Sequence, residues 1–304
     1  MRAPVAFHPR LVEQAVWAAL RGRPDAGAFH RERERLYDEP DPAARERLFD
    51  GLHADWFERL GLAEPVRLAL GEQAEALAPA RRVVFAPVDG PGREGAELFV
   101  ASPGEFSVVV TLRPSTLAAA GQVLPLLRRE LAHVGDMLDP AFAYEPRLPE
   151  QPLGPAHDRR LLERYSILWN ASVDGRLVRL GRLEPRVRSE RRTEFEIAFA
   201  CLGPEGERCF ERIFSGARPP HPELVGLASD PVAGFGLRAP SCHDTGRCPL
   251  CGFPTVTLEP DPEDLPDEIR GAIAADFPDW RPERGICPQC AELYRSRVLD
   301  PVEL

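Results

Sequence analysis

The sequence predicts a mostly helical α+β protein with a small β-sheet and a small cysteine-bearing module at its C-terminal end. Three observations predict this class: apolar residues recur at helical spacing over most of the chain, three short β-rich runs follow one another between residues 82 and 112, and four late cysteines form two close pairs. The 304 residues are about twice an average domain length, so we expect more than one compact unit.

The first predicted unit is a helical region over residues 1–80. Asp41 precedes a proline that suits the first helical position, and the apolar stripe that follows ends at Gly61. The stripe consists of Leu48, Phe49, Leu52, Trp56, Phe57 and Leu60. The alternating charges of residues 31–35 are typical of a solvated helix with internal ion pairs rather than of a binding patch.

A small sheet is predicted next, from three short runs of residues that favour β-strands, separated by proline and glycine clusters. The runs span residues 83–85, 98–100 and 108–112. Past Pro125 the helical pattern returns and continues to Leu138, where an Asp-Pro pair stops it. This order predicts a sheet packed on the helix over residues 126–138.

The predicted core region extends over residues 81–229 and contains a long helix over 157–180 and several shorter ones. The buried side of the long helix is expected to carry Leu161, Leu162, Tyr165, Leu168 and Trp169. Residues 230–246 are rich in glycine, proline and alanine, which is typical of a linker. A separate cysteine module over residues 247–304 is expected to follow.

Composition restricts the classes of partner. The chain has 48 acidic residues against 38 arginines and no lysine, and a formal net charge of −10 disfavours general binding to nucleic acid or to an anionic membrane. No apolar run reaches the ~18 residues of a membrane span, and no secretory pattern begins the sequence. We therefore expect a cytoplasmic protein with reduced thiols.

The strongest motif is a doubled C-x-x-C pattern. Cys248 and Cys251 form one pair, Cys287 and Cys290 form the other, and 35 residues lie between the pairs. Two thiolates three residues apart can bind one tetrahedral ion, and two such pairs complete the four-thiolate shell of structural Zn²⁺. The pattern predicts one structural zinc, and it resembles treble-clef and zinc-ribbon modules. A closed shell leaves no position for catalysis.

Other interpretations of the cysteines stay open. The two pairs could be redox dithiols, and Cys242 or His243 could replace one metal ligand. Cys201 and Cys209 are expected to be small buried residues in helices. The segment 241–304 has 6 arginines against 13 acidic residues, so we expect the module to contact protein rather than nucleic acid.

A second candidate site lies on the helix that contains Glu130 and His133. Their E-x-x-H spacing resembles the active-site helix of the zincin metallopeptidases, whose H-E-x-x-H motif presents two zinc-binding histidines and a glutamate general base. Glu130 matches the general base. Arg129 stands at the place of the first histidine, and a guanidinium has no lone pair for a metal. The resemblance covers roughly residues 81–182.

This resemblance implies a set of candidate ligands for a second metal. His133 would be the surviving ligand, Glu163 or Asp174 on the downstream helix would supply the distal position, and His157 could replace the missing imidazole. Asp136, three residues after His133, would orient the free ring nitrogen of that histidine. A plain ion-pair network that includes Arg129 is the alternative.

The sequence therefore favours a zinc-binding protein with a degenerate zincin-like core, catalytically impaired or inactive as an H-E-x-x-H enzyme. One alternative is a non-enzymatic scaffold or adaptor, stabilised by a structural zinc, that binds a protein or peptide partner. A second alternative is an active metallohydrolase with an unconventional ligand set, in which Glu130 would activate a zinc-bound water. One zinc per chain favours the scaffold and two favour the enzyme.

Overall fold

In the structure, a computed structural model, the chain forms two compact units, Met1–Tyr144 and Glu145–Leu304. The structure describes residues 4–90, 92–102, 104–147, 155–237, 246–255, 258 and 265–299. The described part is mostly helical with a small four-stranded mixed sheet, which confirms the predicted α+β class. The finer domain boundaries expected from the sequence stay predictions.

The described residues of the first unit form six α-helices besides the sheet. They are α1 (Pro9–Leu20), α2 (Ala26–Glu34), α3 (Pro42–Arg59), α4 (Glu64–Glu72), α5 (Pro114–Leu117) and α6 (Ala120–Leu138). Helix α3 begins as its sequence predicts, because the Asp41 carboxylate accepts hydrogen bonds from the backbone N–H groups of Ala43 and Ala44 at 3.2 and 3.1 Å. In α3, Trp56 and Phe57 are buried.

The sheet has the order β1-β2-β4-β3, with β1, β2 and β4 parallel and β3 antiparallel to β4. Its strands are β1 (Val5–Phe7), β2 (Ala80–Pro87), β3 (Gly95–Ser102) and β4 (Glu105–Leu112). The sequence did not predict β1, because three residues show no periodicity of their own. Pairing with β2 holds this strand, and the rings of Phe7 and Phe85 stack at 5.1 Å.

The core of the first unit joins the sheet to helix α6. Alternate residues of β2 and β4 are buried, and the buried face of α6 belongs to the same apolar cluster. The cluster includes Val83, Phe85, Val108, Val110, Leu112, Val123, Leu127, Leu131 and Val134. Helix α6 begins before Pro125 rather than after it, and the fully buried Val123 anchors this additional turn.

The second unit is built on the long helix α7 (Pro155–Arg179). Helices α8 (Val187–Ala198), α9 (Gly206–Phe214), α10 (His221–Ser229) and α11 (Pro231–Gly234) follow, then a hairpin of β5 (Gly246–Arg247) and β6 (Pro254–Thr255), and finally α12 (Asp267–Asp276) and α13 (Pro288–Leu299). The predicted buried face of α7 is correct except for Leu162, which is 55% exposed because it lies about 100° around the helix from the buried Leu161.

Short 3₁₀ segments span Arg35–Asp38, Ala200–Glu205 and Pro282–Arg284. Within the described ranges, every helix is too short or too polar to cross a lipid bilayer.

Candidate metal centre

The two cysteine pairs meet in the second unit. The Sγ atoms of Cys248, Cys251, Cys287 and Cys290 all lie within 4.8 Å of one another, and all four residues are buried. Cys248 and Cys290 are separated by 3.8 Å between sulfurs, and Cys251 and Cys287 by 3.9 Å. A tetrahedral ion with a metal–sulfur distance of ~2.3 Å requires sulfur separations of ~3.8 Å. The predicted four-cysteine group is therefore shaped to hold a metal ion.

The first pair lies in a tight turn inside the β5–β6 hairpin. The backbone N–H of Gly252 donates to the carbonyl of Cys248 at 2.8 Å, and the N–H of Cys248 donates to the carbonyl of Phe253 at 3.0 Å. Gly252 has a φ of 69°, a left-handed conformation that glycine adopts without strain. This turn directs both side chains, those of Cys248 and Cys251, to the same side.

The second pair lies at the start of α13. Cys287 directly precedes the helix and Cys290 occupies its first turn. The backbone N–H of Cys287 donates to the sulfur of Cys248, and that of Cys290 donates to the sulfur of Cys287, both at 3.4 Å. These donors and the positive end of the helix dipole stabilise thiolate charge.

The four neighbouring thiols shift one another's pKa values in different directions. Hydrogen bonds from Cys251 and the other thiols lower the pKa of Cys248, whereas interactions with the Cys248 sulfur and its neighbours raise the pKa values of Cys251 and Cys290. A divalent metal displaces the thiol protons, because only thiolates ligate it. Metal binding here should release protons and strengthen as pH rises.

The hairpin packs on helix α7 through Phe253. The ring of Phe253 stacks on the ring of His157 with centroids 4.7 Å apart and planes within 4° of parallel. The guanidinium carbon of Arg164 lies 4.2 Å from the centroid of the same ring. The side-chain amide of Gln289 in α13 donates to the carbonyl of Ile197 in α8 at 2.9 Å. The four-cysteine module is thus joined directly to the helices of the second unit.

The guanidinium of Arg164 is buried between α7, the hairpin and the end of α8. Its Nε donates to the carbonyl of Ala198 at 3.1 Å, and its Nη2 lies 4.0 Å from the sulfur of Cys201. Burial and the cation of Arg160 lower the pKa of Arg164, and the nearby sulfurs of Cys201, Cys251 and Cys287 oppose that shift. This side chain therefore belongs to the electrostatic environment of the cluster.

Glu130 on α6 makes a contact with the sheet. Glu130 accepts a hydrogen bond from the backbone N–H of Ala96 in β3 at 3.0 Å, which joins the helix to the edge of the sheet. Burial raises the pKa of Glu130, while this hydrogen bond and the charge of Arg129 oppose the shift. Asp136 is buried on the same helix.

The residues predicted as further ligands have contacts of their own. The Nδ1 atom of His157 lies 3.4 Å from the Asp158 carboxylate. Glu163 accepts a hydrogen bond from Arg160 at 2.6 Å, and the buried Asp174 lies 3.6 Å from Arg191. His133 lies on α6 in the first unit, whereas His157, Glu163 and Asp174 lie on α7 in the second. Their assembly into a second metal site stays a prediction.

Across the described ranges, the four cysteines are the one group of three or more histidine, cysteine or acidic side chains whose ligand atoms gather closely enough to hold a metal. Comparison with protein-family models, with curated proteins and with solved structures finds no match to this chain. The zincin-like interpretation therefore rests on the sequence motif alone.

Sequence reasoning missed Arg164 and Phe253 as parts of the metal centre. Arg164 follows Leu161 by three residues and precedes Leu168 by four, so its place on the apolar face of α7 was visible from the sequence. Phe253 gave no such signal, because its role depends on where the hairpin packs. Cys209 is buried as expected, whereas Cys201 is only partly buried. The alternative ligands Cys242 and His243 lie outside the described residues.

Proposed function

We propose that this chain is a zinc-stabilised, non-enzymatic scaffold for a protein partner, with a degenerate zincin-like helix in its first unit. The observation that carries the proposal is the closed geometry of the four buried sulfurs. They supply all four donors of a tetrahedral ion, so substrate and water have no open position on it. Zinc is the proposed metal because a closed tetrahedral shell of four thiolates is typical of structural Zn²⁺, and soft thiolates disfavour magnesium and calcium.

Two features of helix α6 favour the interpretation that the zincin-like core is inactive. Arg129 takes the place of the first ligand, and its cation repels a metal ion instead of binding it. The Glu130 carboxylate accepts a hydrogen bond from the backbone N–H of Ala96. A general base must reach the proton that it removes, so this contact favours a structural role for Glu130.

The charge and the exposed apolar side chains of the chain favour a protein or peptide partner over nucleic acid. The net charge of −10 opposes binding to phosphates. Strand β3 stands at one end of the sheet order and exposes Phe99 and Val100, whose side chains are 49% and 59% accessible. An edge strand with exposed apolar side chains is a surface on which an extended peptide can pair.

Elemental analysis combined with a hydrolysis assay tests the proposal. Protein purified without chelator should contain one zinc per chain and should cleave a mixed peptide library no faster than its Glu130→Gln variant. Two zincs, together with hydrolysis that Glu130→Gln abolishes, would establish the unconventional metallohydrolase instead. Protein without zinc would overturn the proposed metal centre.

A further inference from the structure

Arg164 is a buried cation whose position needs an anionic neighbour. Its side chain is 2% exposed, and within the described part of the chain no carboxylate lies within ion-pair distance of it. Its Nη1 atom has no hydrogen-bond partner among the described residues. A guanidinium stays protonated even when buried, so this charge requires compensation from another source.

Arg160, one helical turn earlier on α7, provides the contrast. It is buried to nearly the same extent, with 4% exposure, but its guanidinium donates to the Glu163 carboxylate at 2.6 Å. The two arginines therefore share a helix, a charge and a degree of burial. They differ in that Arg160 has a carboxylate partner, whereas the guanidinium of Arg164 lies against the ring of Phe253 and 4.0 Å from the sulfur of Cys201.

A metal-loaded cluster would supply the missing negative charge. Four thiolates around one Zn²⁺ carry a net charge of −2, and this charge would be buried with the cysteines. The ring of Phe253, which belongs to the hairpin that carries Cys248 and Cys251, lies against the guanidinium at 4.2 Å.

We infer that Arg164 is the charge partner of the zinc-loaded four-cysteine cluster and that it couples zinc binding to the packing of the cysteine hairpin on α7. The inference rests on the zinc part of the proposed function and adds a positioning residue to it. Zinc places two negative charges beside the buried cation, and the cation in turn stabilises the loaded cluster. Without zinc, the same cation faces uncharged or partly charged thiols and weakens the packing.

Zinc affinity of the full-length chain tests the inference, measured by competition with a chromophoric chelator. Arg164→Met removes the charge and keeps an unbranched apolar side chain, and we expect affinity to fall 10- to 100-fold, as for other residues that support metal ligands. Arg164→Lys keeps the charge and should recover part of the loss. Arg160→Met is the matched control and should change affinity by less than about twofold, because Arg160 has its own carboxylate partner.

A second readout separates charge compensation from simple packing. Arg164→Met should lower the thermal unfolding midpoint of the zinc-loaded protein but leave that of the chelator-treated protein unchanged or raised. Equal lowering in both states would contradict the inference, as would an unchanged zinc affinity. Should Arg164→Met fail to fold, Arg164→Gln, which can still donate to the Ala198 carbonyl, serves for the same two measurements.

The outcomes distinguish this inference from the function on which it rests. A wild-type protein that binds no zinc would overturn the proposed metal centre. Tight zinc binding with equal affinity in the wild type and in Arg164→Met would overturn only the role of Arg164.

Discussion

The contact between Glu130 and the backbone of β3 accounts for a glutamate at this position without a catalytic role. The folded-state pKa of Glu130 lies above the ordinary value because of burial, so the folded state favours the protonated form. The contribution of Glu130 to stability is therefore greatest at acid pH and declines as pH rises above about 4.5 and through the raised pKa.

The Glu130→Gln variant tests this structural role. Glutamine retains an oxygen that accepts from the Ala96 N–H and carries no buried charge, so we expect the free energy of unfolding at pH 8 to be unchanged or higher. Glu130→Ala should lower it by ~1 kcal/mol, because the backbone donor loses its partner. Urea unfolding at pH 5 and pH 8 measures both variants. A loss larger in Glu130→Gln than in Glu130→Ala would argue against the account.

His53 is a second residue whose titration acts on stability. Burial lowers its pKa, so the unfolded chain binds the proton more tightly than the folded protein does. Stability should therefore fall as pH decreases below about 6.5, the ordinary pKa of the group. His53→Leu should weaken this pH dependence, measured as unfolding midpoints between pH 5 and 7.5. The exposed His30, replaced by glutamine, is the control and should leave the slope intact.

At the scale of single elements, the packing of α7 against α9 depends on one glycine. A Cβ at Gly175 would collide with the carbonyl oxygen of Phe214, and backbone cannot move aside as a flexible side chain can. We expect Gly175→Ala to lower the free energy of unfolding by 1–3 kcal/mol. Gly226→Ala in α10 has open space and should be neutral or stabilising by up to ~1 kcal/mol. Calorimetry of both variants makes the comparison, and equal effects would contradict this packing.

Element-scale features also show what the sequence could predict. Helix α3 could be predicted because its cap and its apolar stripe are local in the sequence. Strands β2, β3 and β4 could be predicted because turn residues separate them. Strand β1 could not be predicted, because β2, the strand with which it pairs, lies far along the chain. The metal ligands followed from spacing alone, whereas the contact between Arg164 and Phe253 arises from tertiary packing that no local pattern records.

At the scale of the whole molecule, zinc should stabilise one of the two compact units selectively. The cluster and the helices that it contacts belong to the unit Glu145–Leu304. Chelation, or the Cys248→Ser variant, should increase amide hydrogen exchange in the β5–β6 hairpin, α13 and α7, because a structural metal is coupled to folding. Helices α1 to α6 should keep their protection.

Cys209→Ser is the control for this experiment, because Cys209 is buried in α9 but is not one of the four gathered cysteines. It should retain zinc and the exchange pattern of the hairpin. Uniform loss of protection over both units on chelation would mean that the metal acts on the chain as a whole.

The coordination of the bound metal tests the central claim most directly. X-ray absorption at the zinc edge of the purified protein should give four sulfur neighbours at ~2.3 Å and no nitrogen or oxygen ligand, as a closed structural site requires. A mixed shell containing nitrogen or oxygen, or an average below four sulfurs per zinc, would contradict the account, because it would reveal either a second zinc or an open position on the first.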